Sequence, residues 1–517
     1  MNNDFSIIDL FAGPGGLGEG FSKKKTFGRS LSIEMDPVAC ETLKLRKLFR
    51  ILKQKDKKIF YNLLQKDTKL TWEKVKYAFQ DYYESVENSV WNHELGSRNL
   101  SQEQTITEIK RRLRKLGHLK KNPLIIIGGP PCQAYSLIGR ASRKQMTIRG
   151  TYIPEEDERH FLYEWYLNII PSLKPHVFVM ENVPGILSSK VNGQSVFSKI
   201  LEDLEGLGYD LLSLNEDGHR DSFSDSKDFK LKASNYGVPQ DRERVIIIGI
   251  RKDLNLVKDF CLKRANEFNS VGAVISDLPE IRSGLSKVDK KKATDNLSSW
   301  KEQLRQKHWN SFDGIDADIK KELKRLIKDI HEKEFPLERG RTFTKSKNYG
   351  KTNKLSSVLS DWYLDENLGG YLNHESRSHM DCDLRRYLFN SVFTKVRGRA
   401  PLLTDYPDFL LPDHKNKKSG NHKDRFRTID ANKPSKTITS HISKDGHAFI
   451  HPDPLQCRSL TVREAARIQS FPDNYFFCGN RTQQYHQVGN AVPPYLAYQI
   501  AATVQKILET NKINEKN

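Results

Sequence analysis

The sequence predicts an α/β fold, a doubly wound sheet with helices on both faces and a second, smaller domain, from three observations. A strand-like run, Phe5 to Phe11, leads directly into the glycine-rich stretch Ala12 to Gly20. Three further apolar, β-branched runs, Leu124 to Ile127, Val177 to Met180 and Val245 to Ile250, have the composition of strands covered by helices on both sides. Finally, 517 residues exceed what one core supports, and residues 253–455 lack that strand rhythm.

Gly13, Gly15 and Gly18 have the G-x-G-x-x-G spacing, after one strand and before a second, Ser30 to Ile33, that ends in Glu34. An acid at that strand end can hold two ribose hydroxyls, so a nucleoside-bearing cofactor is expected. On this pattern alone a dinucleotide and S-adenosylmethionine fit equally. From Lys44 to Lys121 the chain is highly charged, with Ile106, Ile109, Leu113 and Leu116 at helical spacing. It reads as a helical insertion with a solvated basic face.

After the strand Leu124 to Ile127 comes Gly128-Gly-Pro-Pro-Cys132-Gln-Ala-Tyr-Ser136. Prolines cannot continue a strand and glycines let the chain turn sharply, so the Cys132 thiol is displayed rather than packed. The next strand ends in Glu181-Asn182-Val183-Pro184-Gly185, which brings a carboxylate to the same sheet edge. Before the third run, Gln240-Asp241-Arg242-Glu243-Arg244 places two arginines on alternate positions, which share one side of an extended segment.

A formal charge of +20 points to a polyanionic partner, nucleic acid foremost, since basic proteins gain affinity by releasing condensed counterions. A mean hydropathy of −0.66 and the lack of a long apolar run predict no membrane span. The acidic start running straight into a strand leaves no room for a signal peptide, and a cytoplasmic protein is expected. Six cysteines without C-x-x-C spacing indicate neither a zinc site nor a disulfide framework, and no metal is expected.

Together these blocks, followed by Leu460-Thr-Val-Arg-Glu-Ala-Ala-Arg-Ile-Gln-Ser-Phe-Pro472 and Gln487-Val-Gly-Asn-Ala-Val-Pro493, resemble the DNA cytosine C5-methyltransferases, above all the bacterial modification enzymes. The blocks keep the family's order and span nearly the whole chain. The resemblance implies a Rossmann-like S-adenosylmethionine-dependent catalytic domain at 1–252, interrupted by the insertion at about 44–121. It further implies a target-recognition domain at 253–455, and a return at 456–517 that completes the cofactor site. Cys132 is then the nucleophile toward C6 of cytosine, a protonated Glu181 binds N3, Arg244 holds O2 with Arg242 beside it, and Asn182 braces the cysteine turn. The thiolate is the reactive form, so nearby positive charge or donors are expected. Cofactor contacts fall to Phe11, Gly13, Gly15 and Leu17, with Glu34 on the ribose and Met35 on an adenine face. Asp157, Leu162, Asn490 and Val492 complete the set. One departure stands out: the Asp that in the family holds the adenine amino group has no clear counterpart, because the insertion begins where it belongs.

A stacked cytosine is out of reach of a thiol, so the base must be flipped from the duplex at a cost of a few kcal/mol. The basic, glycine-containing segment Ser136 to Arg159 resembles the family's closing loop. In the recognition region, Ile319, Leu323, Ile327 and Ile330 predict a packed helix with a wet basic face. Basic stretches Arg339 to Lys354, Lys395 to Arg399 and Lys415 to Lys423 are the expected DNA-facing loops. Ser440 to His447 is a turn-rich block, phosphate-facing or structural. The resemblance implies protective methylation of double-stranded DNA by a monomer, beside a cognate restriction endonuclease, and a regulatory or orphan methylase satisfies it equally. An RNA cytosine methyltransferase and a non-catalytic DNA-binding protein are the competing readings.

Overall fold

The computed structural model describes residues 5–514 apart from 67–68, 98, 120, 131–160, 192–193, 216–225, 255–259, 310–311, 333–337, 352–354 and 413–425. The chain divides into two compact units, one made of residues 1–55, 71–268 and 491–517 and the other of 56–70 and 269–490.

The first unit begins with β1 (Ser6–Leu10), α1 (Gly16–Ser22), β2 (Arg29–Glu34) and α2 (Pro37–Ile51). The helix α3 (Gln54–Lys66) follows, and most of it is counted with the second unit. Then come β3 (Val90–Asn92), α4 (Gln102–Lys115), β4 (Leu124–Gly128), α5 (Phe161–Leu173), β5 (Val177–Asn182), α6 (Val196–Gly206), β6 (Tyr209–Leu212), β7 (Lys230–Lys232) and β8 (Glu243–Arg251). These strands form one eight-stranded sheet in the order β3-β2-β1-β4-β5-β8-β6, with β7 also paired to β8. The stretch read as a helical insertion therefore carries a sheet strand as well: β3 pairs with β2 in parallel register, Ile33 opposite Trp91.

Alternation along the strands decides what each face buries. Ile7, Ile125, Ile127, Val177 and Val179 point into one core with Leu17 and Phe21 of α1 and with the helix Pro494–Asn514. Ile8, Leu10, Ile126, Phe178 and Met180 point into the other, against α4, α5 and α6. A period of two with both sides apolar produces continuous hydrophobic runs and a sheet coated on both faces. β1 to β5 run parallel, whereas β8 runs antiparallel to β5, Val245 opposite Asn182. That reversal matters for chemistry. An antiparallel strand brings its first residues, including Arg244, to the edge where β4 and β5 end.

The second unit holds α7 (Ala317–Glu332), the antiparallel pair β9 (Gly340–Lys345) and β10 (Gly370–Glu375), α8 (Asp381–Arg397), α9 (Val462–Ile468) and α10 (Arg481–Asn490). Ile319, Leu323, Ile327 and Ile330 of α7 pack onto Leu384, Leu388 and Val392 of α8, as the helical spacing predicts. The block around Leu460 to Pro472 is scaffolding. Arg458, Arg463 and Arg467 are all essentially buried. Arg458 pairs in bidentate fashion with Glu464 at 2.6 and 2.7 Å. Arg463 donates to the carbonyls of Leu372, Pro472 and Tyr475. Arg467 joins Asp473 to Asp277. Fully partnered buried guanidinium groups fix loop geometry rather than supply a reactive surface.

Of the basic stretches expected to face DNA, Lys395 to Arg399 is instead engaged within the unit. Lys395 pairs with Glu322, Arg397 with Asp316 and Asp318, and Arg399 with Asp405. Ser440 of the turn-rich block packs tightly against Gly489 of α10, a structural role. Lys415 to Lys423 lies outside the described residues. Among the described residues no helix is long and apolar enough to cross a membrane.

Candidate active site

The glycine loop joins β1 to α1. Gly13 and Gly15 take φ of 56° and 87°, the left-handed region that side chains avoid. Phe11 shares this conformation at φ 56° without glycine's freedom, a strained position of the kind found where a ligand site fixes the backbone. A Cβ added at Gly13 would meet nothing within 4 Å, so that part of the loop faces open space. One added at Gly16 would sit 2.2 Å from the Val492 carbonyl, which shows how closely the segment after α10 is laid on the start of α1. Leu17 turns its side chain into the core beneath the loop, leaving its backbone as the part able to meet a ligand.

Glu34, at the end of β2, accepts from Gly13 N at 2.7 Å and from Asp36 N at 2.9 Å. Burial raises its pKa, and the two amide bonds oppose the rise. Met35 follows with 62% of its surface exposed, an apolar side chain beside the carboxylate. Asn92, at the end of β3, donates to the carbonyls of Glu34 and Met35 at 3.0 and 2.9 Å. It braces the backbone that carries Glu34 and Met35, and sequence reasoning did not single it out. The three-residue strand that carries it is too short to stand out in a charged insertion. Leu162, in α5, approaches Gly96 in the loop after β3. Gly13, Glu34, Met35 and Asn92 thus form a cradle at the C-terminal ends of β1, β2 and β3. Its open loop, half-buried carboxylate and exposed thioether suit an adenosine-bearing group. Asn490 ends α10 in the second unit, whereas Val492 belongs to the first. Asp157 lies outside the described residues.

Beneath the loop, Asp9 of β1 is buried, and burial pushes its carboxyl up to about 8 against a backbone hydrogen bond from Gly18. Glu19, equally buried, is held well below the carboxylate range by Arg46 and Arg50, which outweigh the cost of burial. Two acids one helix apart are therefore kept in opposite protonation states by their neighbours.

The candidate catalytic edge is built from β4, β5 and β8. Glu181 forms an ion pair with Arg244, Oε1 to Nε 2.6 Å, and both side chains are mostly shielded from solvent. Arg244 Nη1 also donates to the Glu243 carbonyl. Arg242 is buried nearby, with Arg244 and Glu181 as the charges it feels, and burial presses its pKa well below the usual value. Gly129 lies directly against Glu181: a Cβ there would come within 2.6 Å of Oε2 and 2.7 Å of the carbonyl. Asn182 Nδ2 donates to the Pro130 carbonyl at 3.3 Å, and its Oδ1 accepts from Val183 N. Glu181, Asn182, Arg242 and Arg244 are thus brought together around the Gly128–Pro130 turn. Cys132 and the segment Ser136 to Arg159 lie outside the described residues.

The model of the C-5 cytosine-specific DNA methylase family matches residues 68–506. The chain is 34% identical over 516 residues to Type II methyltransferase M.Bpa9945I of Bacillus paralicheniformis, covering 97% of this chain and 99% of that relative. It is 26% identical over 433 residues to DNA (cytosine-5-)-methyltransferase M.ApeKI of Aeropyrum pernix, covering 74% and 81%. A solved E. coli structure, of a DNA modification methyltransferase encoded within a prophage, overlays with a TM-score of 0.51 at 20% identity, over 98% of this chain and 99% of the other. That likeness is one of fold. The match of the family model over most of the chain, together with the full-length 34% identical relative, places this chain in the C-5 cytosine-specific DNA methylase family, as a DNA cytosine-5 methyltransferase.

Proposed function

We propose that the chain methylates one cytosine, flipped out of a specific double-stranded DNA sequence, with Cys132 as nucleophile and S-adenosylmethionine as methyl donor. C5 of cytosine is a weak nucleophile. Addition of the Cys132 thiolate to C6 forms an S–C bond and pushes the C5–C6 electron pair toward C5, the carbon that takes the methyl group. The thiolate leaves by β-elimination once the C5 proton is lost. When bound, S-adenosylmethionine supplies an electrophilic methyl on sulfonium, and Glu34, Met35, Gly13 and Asn92 are the residues to hold its adenosine. Phe11, Gly15, Leu17, Leu162, Asn490, Val492 and Asp157 complete the proposed cofactor set.

The observation that carries this reading is the Glu181–Arg244 pair against Gly129. A carboxyl group beside a guanidinium matches the N3 and O2 edge of cytosine, where negative charge gathers as sulfur adds. Arg242 adds positive charge behind the pair. Asn182 tethers Pro130, and Cys132 follows two residues later, a reach of at most about 7 Å along the chain. The closing loop, Ser136 to Arg159, is the proposed cover over the flipped base. We further infer action as a monomer in the cytoplasm, protecting DNA from a restriction endonuclease that reads the same site.

The test is covalent trapping. Duplex DNA bearing 5-fluorocytosine at the target, with S-adenosylmethionine, should give an adduct stable to denaturation, since fluorine cannot leave as a proton does. Cys132→Ala should give none. Absence of an adduct with the wild-type chain on DNA that it methylates would overturn the assignment.

A further inference from the structure

Residues 56–70 come from the early, charged part of the chain yet cluster with the second unit. The contacts are specific. Phe60, Tyr61 and Leu64 of α3 are buried. The Tyr61 hydroxyl donates to the Asp365 carboxylate, Gln65 to the Leu368 carbonyl at 3.0 Å, and the Cys478 thiol to the Leu70 carbonyl at 3.6 Å. Leu70 is thereby pinned, and its neighbour Lys69 is delivered to the rim of an open cleft of about 430 Å³.

Three elements meet in that cleft. Lys69 comes from the inserted segment, Arg341 from β9 and Arg481 from the first turn of α10, with Asn480 and Gln484 beside them. Among the described residues Glu375 is the acid in the lining, 3.9 Å from Arg481. Arg341 is about three-quarters exposed and reaches Glu338 at 3.8 Å, a weak and wet pairing. Asn480 caps α10 reciprocally with Gln483, so the positive end of this ten-residue helix opens onto the same space. Among the described lining residues, three cations from three separate elements stand against one carboxylate around a groove open to solvent, the electrostatics of an anion cleft.

We propose that this cleft binds a backbone phosphate of the DNA substrate, and that the inserted segment is a working part of the recognition unit, with Lys69 closing the site formed by Arg341 and Arg481. The inference rests on the DNA-methylation reading. It extends that reading to a stretch whose basic face the sequence alone describes as merely solvated. Phosphate contacts position a protein on the duplex without reading sequence, so the three residues contribute to affinity and register.

The test uses the full chain and fluorescence anisotropy on duplexes with and without the methylated site, across a range of salt. Lys69→Gln and Arg341→Gln, both exposed changes, should each weaken binding several-fold on both duplexes. Each should lower the slope of log affinity against log salt by about 0.9, the value for one neutralised phosphate. The loss should reappear as a raised KM for DNA. Lys110→Gln, a charge loss on α4, should leave the slope at the wild-type value. Folded variants that keep the wild-type slope would overturn the inference while leaving the methylation reading standing. A wild-type chain that neither bound nor methylated duplex DNA would sink both.

Discussion

Arg244 and Glu181 meet at 2.6 Å because β8 runs antiparallel to β5. The reversal delivers the start of one strand to the end of the other, at the mouth of the turn that leads to Cys132. Replacing Arg244 by Ala should lower methyl transfer by about 10²–10³, the usual loss when one preorganised donor to a developing charge is removed. Measured with labelled methyl donor, a fall of less than about threefold would show that the pair serves packing alone.

Gly129 predicts a steric test of the same edge. A methyl group there collides with both the carboxylate and the carbonyl of Glu181, and the latter is backbone that cannot swing away. Gly129→Ala should therefore abolish adduct formation while costing roughly 1–3 kcal/mol of stability, the range for an overpacked site. An active, normally stable Gly129→Ala enzyme would contradict the observed approach.

Asp9 should make stability fall as pH rises. Its carboxyl titrates near 8 when folded and in the ordinary carboxylate range when unfolded, so the folded state holds the extra proton between about pH 4 and 8. The stabilisation is complete below about pH 4 and lost as pH climbs through 8, at up to about 1.4 kcal/mol per pH unit. Asp9→Asn removes that dependence. The melting temperature of the variant relative to wild type should be higher at pH 8 than at pH 5, and an equal difference at both would refute the assignment.

His374 and His451 act in the opposite direction. Burial lowers both to about 4, with Arg458 adding to the effect and Glu464 opposing it. His374 contacts the Pro279 carbonyl and the Thr461 hydroxyl. Each is neutral in the fold and gains a proton on unfolding once pH drops below about 6.5, so stability is lost as pH falls from there toward 4. Denaturant midpoints of the wild-type chain should decrease between pH 7 and 5, and His374→Gln should flatten that decline. A variant with an undiminished slope would remove His374 from the account.

Much of the candidate catalytic edge was legible in the sequence because chemistry restricts it. Glu181, Asn182, Arg242 and Arg244 stood in recognisable turns at strand ends, and the three apolar runs became β4, β5 and β8. The direction of β8 was not legible, since an apolar run carries no arrow. Asn92 was missed because β3 has only three residues and follows a long charged stretch. The basic stretch Lys395 to Arg399 looked available for DNA, yet its acidic partners lie 6 to 81 positions away in the chain. Pairings of that kind come from tertiary structure and leave no local signature.

The chain passes between its two compact units four times, at 55/56, 70/71, 268/269 and 490/491. On the proposed recognition role of the second unit, transplanting a sequence preference from a relative is therefore not a single-cassette exchange. A graft of 269–490 alone would arrive without the fifteen-residue strip that fills its Asp365 and Cys478 contacts, and chimaeras should recover solubility only when residues 56–70 travel with it.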